Sequence, residues 1–469
     1  MWDHARLLRR TLLISSVLAL SGLHVPPARL AAVWRAVRLV PLSLSFIMTA
    51  LVVGFTFIAT SSYEVFSSAM FVLGMAHGLF TLACLQRRGA RLHRLLGQLS
   101  ELEEVTAICR RAGEHRHSHR CAALIGLLTG LTALLWAASF FAGGEFGHPH
   151  YLTPMLVPAP LQGGRWYWVL VGMQAAVAIM IFTVRAVFDL VQVCFMDAVA
   201  MLLERLGRYA RRYMTHSEES DSLTQTKENR AGIQNDPREQ LGKIGFTSHS
   251  GEQGNQLAAS DHPRRYNIAF TVTSEVGPGD AASNHYPAVP PRAPDTLSSA
   301  AVLTDPRGDL DSAVAQLSQV HRSVAALAAA ASDLCSPMTV TQHASIIMEQ
   351  LVGLYITIGI FVSGGGGAVQ KAAFVLYQAV TALRLVAVSV TGSRLAASAG
   401  RLTDSLLGAT RPSRTLGAAL RFSFQMLIEQ TRRPPQFSGG GFFVTQKETM
   451  LSVLSFVLTY FIIMVQLNI

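Results

Sequence analysis

Five polar side chains recur along an apolar stretch near the end of the sequence. They are separated by 3, 3, 4 and 7 residues, and a helix brings positions at these spacings to one face. The five are Thr449, Ser452, Ser455, Thr459 and Gln466. Such a face avoids lipid, because hydroxyl and amide groups at membrane depth need polar surroundings. It suits hydrogen bonding to a closely packed helix or the hydration of ions along a water-filled path.

Ionisable residues inside other apolar stretches predict a second polar site. Glu349 and Arg384 are expected at a similar depth in the inner halves of two neighbouring helices. Because charges at membrane depth need partners, we predict that these two residues pair or share a polar network. His77 is expected to be a hydrogen-bonded histidine in the core of the helix bundle and not a proton sensor.

Seven apolar runs are long enough to cross a membrane as helices. They are 41–62, 66–86, 121–141, 166–188, 344–362, 372–392 and 449–467. The last run carries the polar stripe and contains no charged residue and no proline. Only 14% of all residues are charged and the mean hydropathy is +0.34, whereas soluble proteins average about 25% charged residues. The composition predicts an all-α membrane protein with seven transmembrane helices.

Basic residues between these runs indicate the orientation of the chain. Six arginines precede the first run, eight lie in 87–120, and eight Lys or Arg residues lie in 393–448. The alternate segments contain one at most. Because Lys and Arg concentrate on the cytoplasmic side, the count predicts a cytoplasmic amino terminus and an extracellular carboxyl terminus. A metabotropic seven-helix receptor requires the opposite orientation.

The long segment between the fourth and fifth runs divides the chain. Residues 215–312 contain eight prolines, 14 acidic and 8 basic residues, and few bulky apolar ones. This composition is typical of disorder. The predicted parts are a cytoplasmic amphipathic segment 1–40, spans one to four with a cytoplasmic extension of the fourth at 41–214, a disordered cytoplasmic loop at 215–312, and a cytoplasmic helix with spans five to seven at 313–469.

Aromatic and amide side chains in the outer halves of spans two to six could form a binding pocket. Pockets between helices are mostly apolar and contain a few polar groups. The candidates are Trp136, Phe140, Gln174, Tyr355, Thr357, Tyr377 and Gln378. Residues 166–168 belong either to this pocket or to an aromatic belt at the membrane surface. The rings suit a sugar or an alkaloid equally well, so the pattern does not identify the ligand.

No pattern points to catalysis, to a metal or to another cofactor. His115, His117 and His119 alternate in an arginine-rich loop, which is more typical of solvated residues than of metal ligands. No Ser-His-Asp or paired-carboxylate arrangement stands out. Outside 215–312 the net charge is +16, against +10 for the whole chain. Since this charge flanks the apolar runs, it favours the lipid bilayer over nucleic acid as a partner.

The end of the sequence resembles the carboxyl-terminal signature of the insect gustatory receptors. Residues 441–443, Gly-Phe-Phe, are followed by Thr459-Tyr460, five apolar residues and Gln466. That family has Thr-Tyr, five mostly apolar residues and Gln-Phe, and Leu467 stands here in place of the Phe. The pair Val320-His321 resembles a second family feature, which opens the helix that leads into the fifth span.

The resemblance implies a tetrameric cation channel opened by a small-molecule tastant, a sugar or a bitter compound, in the outer half of the bundle. The expected pore and gate residues are Thr459, Tyr460, Ile463 and Gln466 of the pore helix 449–467. The expected pore-facing stripe below them is Thr449, Ser452 and Ser455. The resemblance also implies a cytoplasmic helical anchor joining four subunits, identical or mixed with other gustatory receptors, in the plasma membrane of a sensory neuron dendrite.

Two other functions fit the same layout. An odorant-type receptor channel shares the architecture, and the spacing from Thr459-Tyr460 to Gln466 argues against it. A secondary transporter is expected to show internal repeats and helices broken near the membrane midplane, and no repeat is evident in the sequence.

Overall fold

The structure is a computed structural model that describes residues 4–9, 31–58, 62–110, 116–142, 165–233, 310–362, 368–410 and 418–467. Nearly all of these residues are helical. The helices are α1 (Ala31–Ile58), α2 (Ser62–Val105), α3 (Arg116–Ala142), α4 (Arg165–Ile233), α5 (Leu310–Val362), α6 (Ala368–Thr410), α7 (Ala418–Thr431) and α8 (Lys447–Leu467). Two short antiparallel strands, β1 (Ser438–Gly439) and β2 (Phe443–Val444), lie between α7 and α8, and a 3-10 turn (Ala107–Cys109) follows α2.

Six of the seven predicted apolar runs lie within one helix each, α2 to α6 and α8, and the first, 41–62, lies mostly in α1 and extends past its end at Ile58. Within the described residues, five helices are long and apolar enough to cross a membrane, namely α1, α2, α4, α5 and α6. The other two, α3 and α8, contain 27 and 21 residues. The predicted all-α membrane fold is thus confirmed, and the orientation of the termini stays a prediction.

Several helices continue well beyond the thickness of a bilayer. The apolar part of α4, Gly172–Arg212, has 41 residues and α5 has 53. At a rise of 1.5 Å per residue these lengths are about 60 and about 80 Å, against about 30 Å for the hydrocarbon core of a membrane. In its middle part α4 is buried on almost every side from residue 187 to 210, in one hydrophobic cluster with side chains of α2, α5 and α6. This part of α4 is therefore a core element, and side chains of α2, α5 and α6 pack around it.

The chain divides into two compact units, one of Met1–Ser217 with Ala301–Ile469 and the other of Glu218–Ala300. Helix α4 continues to Ile233 and α5 begins at Leu310. Both ends of the segment predicted as disordered, 215–312, are therefore helical, and its remaining residues, 234–309, lie outside the described residues.

A tight hairpin carries the chain from α7 to α8. The Phe442 N–H donates to the Gly439 carbonyl at 2.9 Å, which closes the turn between β1 and β2. Gly440 and Gly441 adopt φ values of 59° and 79°. A side chain is strained at such values, so glycine at these two positions permits the reversal.

The hairpin is fastened to α5 by two serine side chains. The Ser438 N–H donates to Ser332 Oγ at 3.2 Å, and the Gly440 N–H donates to Ser336 Oγ at 2.7 Å. Positions 332 and 336 are one helical turn apart, so the two hydroxyls lie in a row along α5. They satisfy backbone donors that the short hairpin leaves unpaired.

The start of α8 is fastened to α6 in a similar way. Ser393 Oγ accepts a hydrogen bond from the Lys447 N–H at 2.8 Å. Beside it, Gly392 lies so close to the Thr445 carbonyl that there is no room for a Cβ. We call residues 438–447 the hairpin anchor, because they tie α8 to both α5 and α6.

The N-terminal helical segment, residues 4–9, is held by His4 between two carboxylates. His4 Nδ1 lies 3.1 Å from Glu103 Oε1 on α2, and Nε2 lies 3.0 Å from Asp197 Oδ2 on α4. All three residues are buried, and Arg394 of α6 also pairs with Asp197. Burial lowers the pKa of His4, but the hydrogen bonds to Asp197 and Glu103 outweigh burial, so the pKa is raised above its usual value. The protonated imidazole donates from both nitrogens, and it ties the segment to α2 and α4.

We expect residues 4–9 to be held more tightly at mildly acidic than at mildly alkaline pH. Because the folded pKa of His4 is raised above the unfolded value of 6.5, its contribution to stability is complete below that value and is lost as the pH rises through the folded pKa. Hydrogen-exchange protection factors for residues 4–9 at about pH 6 and about pH 8 measure the difference. His4→Gln should abolish it, and equal protection of the wild-type segment at both pH values would contradict the assignment.

Candidate functional site

A buried carboxylate joins three helices at the centre of the bundle. Arg185 Nη2 on α4 lies 2.8 Å from Glu349 Oε2 on α5, and the Tyr377 hydroxyl on α6 donates to the same oxygen at 2.6 Å. Ser345, one turn before Glu349 on α5, also donates to the carboxylate. Both charged residues are buried, with exposed fractions of 2% for Arg185 and 0% for Glu349. Glu349 therefore accepts a hydrogen bond from each of α4, α5 and α6.

A second ion pair lies one turn further along α4. Asp189 accepts hydrogen bonds from Arg384 of α6 and from Gln342 of α5, and it is fully buried. Positions 185 and 189 are four residues apart, so both side chains leave the same face of α4. That face of α4 therefore carries one positive and one negative side chain. Glu349 of α5 pairs with the first, and Arg384 of α6 pairs with the second.

Of the two alternatives predicted for Glu349 and Arg384, a direct pair or a shared polar network, the direct pair is wrong. Each of them is ion-paired, but with α4 and not with the other. From the sequence alone the fourth apolar run ends at residue 188, so Asp189 falls outside it and Arg185 has no evident partner. In the structure α4 continues without a break, and it therefore carries both partners into the bundle.

Two small apolar cavities lie among α1, α2, α4 and α6. The larger, of about 40 Å³, reaches the ion pair and is lined by Met70, Phe71, Gly74, Met75, Ala178, Ile181, Phe182, Arg185 and Tyr377. The smaller, of about 20 Å³, is lined by Met48, Val52, Phe71, Met75, Gln174, Val177 and Ala178. The two share Phe71, Met75 and Ala178, so rotation of Phe71 or Met75 would merge them. An apolar wall with a few polar groups at one end is the usual construction of a small-molecule pocket.

Gly74 of α2 lies beside the ion pair. A Cβ on Gly74 would lie 3.5 Å from Arg185 Nη1 and 3.7 Å from Glu349 Oε1. The backbone of α2 therefore forms the wall of the larger cavity next to the charges. Across the cavity, the rings of Phe182 and Tyr377 meet edge to face at 6.0 Å.

The predicted pocket residues separate into three groups. Gln174 and Tyr377 line the cavities. Two others bond to helix backbone: Gln378 Nε2 donates to the Glu349 carbonyl at 3.4 Å, and Thr357 Oγ donates to the Gly353 carbonyl at 2.7 Å. Tyr355 is half-buried and does not line either cavity. The side chains of Trp136 and Phe140 lie outside the described part of the structure. Trp166, at the start of α4, is 66% exposed.

Three residues that line the larger cavity are not among the pocket residues predicted from the sequence. Phe71 and Phe182 line the larger cavity, but nothing in the apolar runs 66–86 and 166–188 distinguishes them from the other bulky side chains there. Arg185 does carry a signal, because it is a charged residue inside an apolar run, and such a residue marks a functional site by default.

The polar stripe lies on a face of α8 that is largely uncovered within the described part of the chain. The exposed members among the predicted pore residues are Ser452, Ser455, Thr459, Tyr460, Ile463 and Gln466, and Thr449 is half-buried. The hydroxyls of Ser452 and Thr459 donate to carbonyls one turn earlier, at 3.0 and 2.8 Å. These two hydroxyl groups can therefore face either lipid or water, because their donors are already satisfied by the helix backbone. Val457, on another face, is buried.

Among the described residues, no group of three or more His, Cys, Asp or Glu side chains is placed to hold a metal ion. Of the alternating histidines, His115 lies outside the described ranges. The chemistry of the central site is therefore that of two buried ion pairs beside an apolar space.

Glu349→Gln should destabilise the fold strongly, because it leaves Arg185 as a buried charge without a carboxylate. Breaking a buried pair in this way typically costs about 3–5 kcal/mol. Arg91→Gln is the matched control, since Arg91 and Asp333 form a pair at 3.5 Å whose side chains are 42% and 67% exposed, and such pairs contribute about 1 kcal/mol or less. Chemical unfolding of the purified protein in detergent measures both changes.

The double variant Arg185→Met/Glu349→Leu should recover most of the stability that Glu349→Gln loses. Replacing a buried pair by apolar side chains of similar volume is often neutral or stabilising. If Glu349→Gln unfolded at the same denaturant concentration as Arg91→Gln, the pair would not have the structural importance assigned to it.

Comparison with known proteins agrees with this architecture. Residues 293–469 match the family model described as 7tm chemosensory receptor. The fold is similar to that of the insect olfactory receptor OR5 from Machilis hrabei, with a TM-score of 0.67 and 12% sequence identity over 99% of this chain and 98% of that one. The same receptor in complex with eugenol gives a TM-score of 0.67 and 13% identity over the same shares of both chains. A comparison with curated proteins finds no match.

The two matches rest on different properties of the chain. At 12% and 13% identity the structural likeness establishes the fold, whereas the family match rests on the sequence of the part that contains α5 to α8. Together they show that residues 293–469 are similar in sequence to the 7tm chemosensory receptors, and that the chain has a fold similar to that of an insect olfactory receptor.

Proposed function

We propose that this receptor is a subunit of a gustatory ligand-gated cation channel, opened by a sugar or a bitter compound that binds beside the Arg185–Glu349 pair. One observation carries the proposal: Tyr377 of α6, which lines the larger cavity, donates to Glu349 of α5, and α5 and α6 are the two helices that hold α8 through the hairpin anchor. A change at the pocket can therefore reach the exposed polar face of α8.

The first step of the mechanism is expansion of the pocket. Cavities of about 40 and 20 Å³ are far below the roughly 300 Å³ or more that a typical ligand site provides. A tastant must merge the two cavities by moving Phe71 and Met75, and it must displace Tyr377 or Phe182. Binding then favours the conformations in which the helices stand further apart, since a ligand shifts an equilibrium by its differential affinity for the two states.

The second step transmits this change along α5 and α6. Tyr377 of α6 is bonded to Glu349 of α5, so its displacement alters how the two helices meet. Further along, α5 holds the hairpin through Ser336 and through His343, whose ring lies 4.5 Å from that of Phe443, and α6 holds Lys447 through Ser393. Relative motion of α5 and α6 therefore moves the start of α8.

The third step opens the pore. In a tetramer of identical subunits, or of subunits mixed with other gustatory receptors, four copies of α8 surround the axis with the polar stripe inward. Ile463 forms the hydrophobic constriction and Gln466 the polar ring, and both are exposed in the single chain. Residues 449–467 contain no acidic side chain. Selectivity for cations then rests on carbonyl and amide dipoles and is weak.

The cellular setting follows from the same proposal. A chain with five apolar helices of spanning length and clusters of arginine beside them fits a multi-pass protein of the plasma membrane. A tastant receptor of this kind belongs in the dendrite of a sensory neuron.

An odorant-gated channel is the second candidate. It is favoured by the likeness of fold to an insect olfactory receptor, one structure of which is a complex with eugenol. The gustatory assignment is favoured by the signature at Thr459-Tyr460 and Gln466. A ligand panel that contains sugars, alkaloids and volatile phenols separates the two.

Ligand-evoked current in cells that express this chain alone is the direct test of the channel. We expect at least one sugar or bitter compound to evoke a cation current. Gln466→Ala and Ile463→Ala should change its permeability ratios or rectification, because both side chains face the pore. Leu451→Ala is the control, since Leu451 is an exposed residue of the same helix outside the polar stripe.

Three outcomes would count against the proposal. Saturable uptake of a solute without single-channel current indicates a transporter. Current evoked by volatile phenols alone supports the odorant candidate. A tag at the carboxyl terminus that is reached only from the cytoplasm overturns the predicted orientation of the chain, with an extracellular carboxyl terminus.

A valine at position 74 should weaken the response to the ligand without changing the pore. A Cβ fits there, at 3.5 Å from Arg185, but the two methyl groups of valine extend into the larger cavity and fill space that a ligand needs. Gly97→Val is the matched control, because Gly97 lies on the same helix with no atom within 4 Å of an added Cβ. We expect the half-maximal concentration to rise by at least about tenfold for Gly74→Val, equivalent to about 1.4 kcal/mol, with unchanged permeability ratios. Equal concentrations for the two variants would place the binding site elsewhere.

A further inference from the structure

Two buried polar side chains of α2 have no hydrogen-bond partner among the described residues. Both ring nitrogens of His77 are unpartnered, and so is the hydroxyl oxygen of Thr81. The exposed fractions of the two residues are 4% and 0%. The predicted burial of His77 is thus confirmed, but the predicted hydrogen bond is not found within the described ranges. Because buried polar groups in folded proteins almost always have partners, these two side chains require an explanation.

Both side chains lie next to the proposed pocket. Positions 74, 77 and 81 are separated by three and four residues, so a helix brings them to one face. Gly74 lines the larger cavity, and His77 and Thr81 follow it along that face, about one and two turns further on. Arg185 lines the same cavity, and it lies close enough to His77 to act on the ring electrostatically, as does Arg384. His77 is therefore beside the polar end of the cavity.

The charged groups at this end are already bound to one another. Both oxygens of the Glu349 carboxylate accept hydrogen bonds, and so do both oxygens of Asp189. Their ion-pair partners are Arg185 and Arg384. Neither carboxylate is left to pair with a cationic ligand, and neither guanidinium is left to pair with an anionic one. A ligand that reaches this place therefore gains most when it carries no charge.

His77 and Thr81 offer both directions of hydrogen bond to an uncharged ligand. A neutral imidazole has one donor and one acceptor nitrogen, and a threonine hydroxyl both donates and accepts. A hydroxyl group on a ligand also does both, so it can bond to either residue. A protonated amine has donors alone, and its charge has no available carboxylate at this end of the cavity.

We propose that His77 and Thr81 form the hydrogen-bonding end of the ligand site, and that the ligand is an uncharged molecule with several hydroxyl groups, a sugar or a related polyol. The inference rests on the proposed function, because it takes the cavity beside the Arg185–Glu349 pair as the ligand site. The apolar wall of that cavity contacts the carbon skeleton of the ligand, and the polar groups of α2 fix its orientation.

The unpartnered groups also explain how binding enlarges the site. His77 and Thr81 do not line the larger cavity before a ligand enters, so the expansion that a ligand requires must extend along α2 towards them. A buried polar group without a partner destabilises the conformation that contains it. A ligand that bonds to His77 and Thr81 removes this cost in the expanded conformation alone, and this differential affinity shifts the population towards that conformation.

Saturation-transfer difference NMR on the purified full-length chain in lipid nanodiscs tests the site, because it detects weak binding. The probes are D-glucose, D-fructose, sucrose and myo-inositol, with quinine as the protonated amine. His77→Phe and Thr81→Val remove the polar groups with little change of shape, whereas His77→Gln keeps a donor and an acceptor. Thr391→Val is the matched control, since Thr391 is equally buried but donates to the Ala387 carbonyl at 2.8 Å and lines neither apolar cavity.

We expect at least one of the hydroxylated probes to bind to the wild-type chain. Its Kd should rise at least about tenfold in His77→Phe and in Thr81→Val, because each loses a hydrogen bond to the ligand. It should recover in part in His77→Gln and stay unchanged in Thr391→Val. Equal affinity of the wild type and His77→Phe for a sugar would overturn the inference.

The stability of the ligand-free variants separates a binding role from a structural one. Since His77 and Thr81 have no protein partner among the described residues, apolar replacement should leave the denaturant midpoint unchanged or raise it. A clear loss of stability, or failure of either variant to fold, would give that residue a structural role and would also overturn the inference.

The remaining outcomes distinguish this inference from the proposed function. Binding of quinine without binding of any hydroxylated probe would exclude the polyol and leave a channel for bitter compounds in place. A weaker response of Gly74→Val together with an unchanged response of His77→Phe would keep the pocket and reject its extension along α2. Binding of neither class of probe, together with the absence of evoked current, would count against both.

Discussion

Two ion pairs on one face of α4 fix how the three central helices meet. Arg185 and Asp189 alternate in sign, and α5 and α6 present Glu349 and Arg384 in the complementary order. A slip of one helix by a turn, about 5.4 Å, would set like charges against each other or leave a buried charge alone, at a cost of several kcal/mol. The pairs thus specify a single register among helices whose apolar surfaces would allow many.

This register places the other features of the molecule. It brings Tyr377 and Gly74 to the ion pair, where they form one end of the larger cavity. It also fixes α5 and α6 at the spacing that the hairpin anchor requires, so that α8 starts where both helices can hold it. The pocket, the ion pairs and the polar face of α8 are consequently parts of one connected arrangement.

The sequence predicts the helices well and their partners poorly. Apolar runs alone place six of the seven predicted spans inside helices and most of the first span in α1, because membrane length and hydropathy are properties of consecutive residues. The exposed face of α8 also follows from the periodicity of Thr459, Ser455 and their neighbours. The partner of Glu349 does not follow from the sequence, because it depends on where α4 crosses α5. Arg185 and Glu349 are 164 positions apart in the chain. The same holds for Phe71 and Phe182, which become pocket residues only once α2 and α4 are packed.

The hairpin between β1 and β2 leaves no slack in front of α8. Gly440 and Gly441 reverse the chain within two residues, and hydrogen bonds on both sides of the reversal hold it to neighbouring helices. A loose linker would absorb a displacement of α5 or α6 by changing its own shape. This connection has no spare length, so α8 moves together with the ends of the hairpin anchor. The stiffness of residues 438–447 therefore sets how much of a movement of α5 or α6 is transmitted to α8.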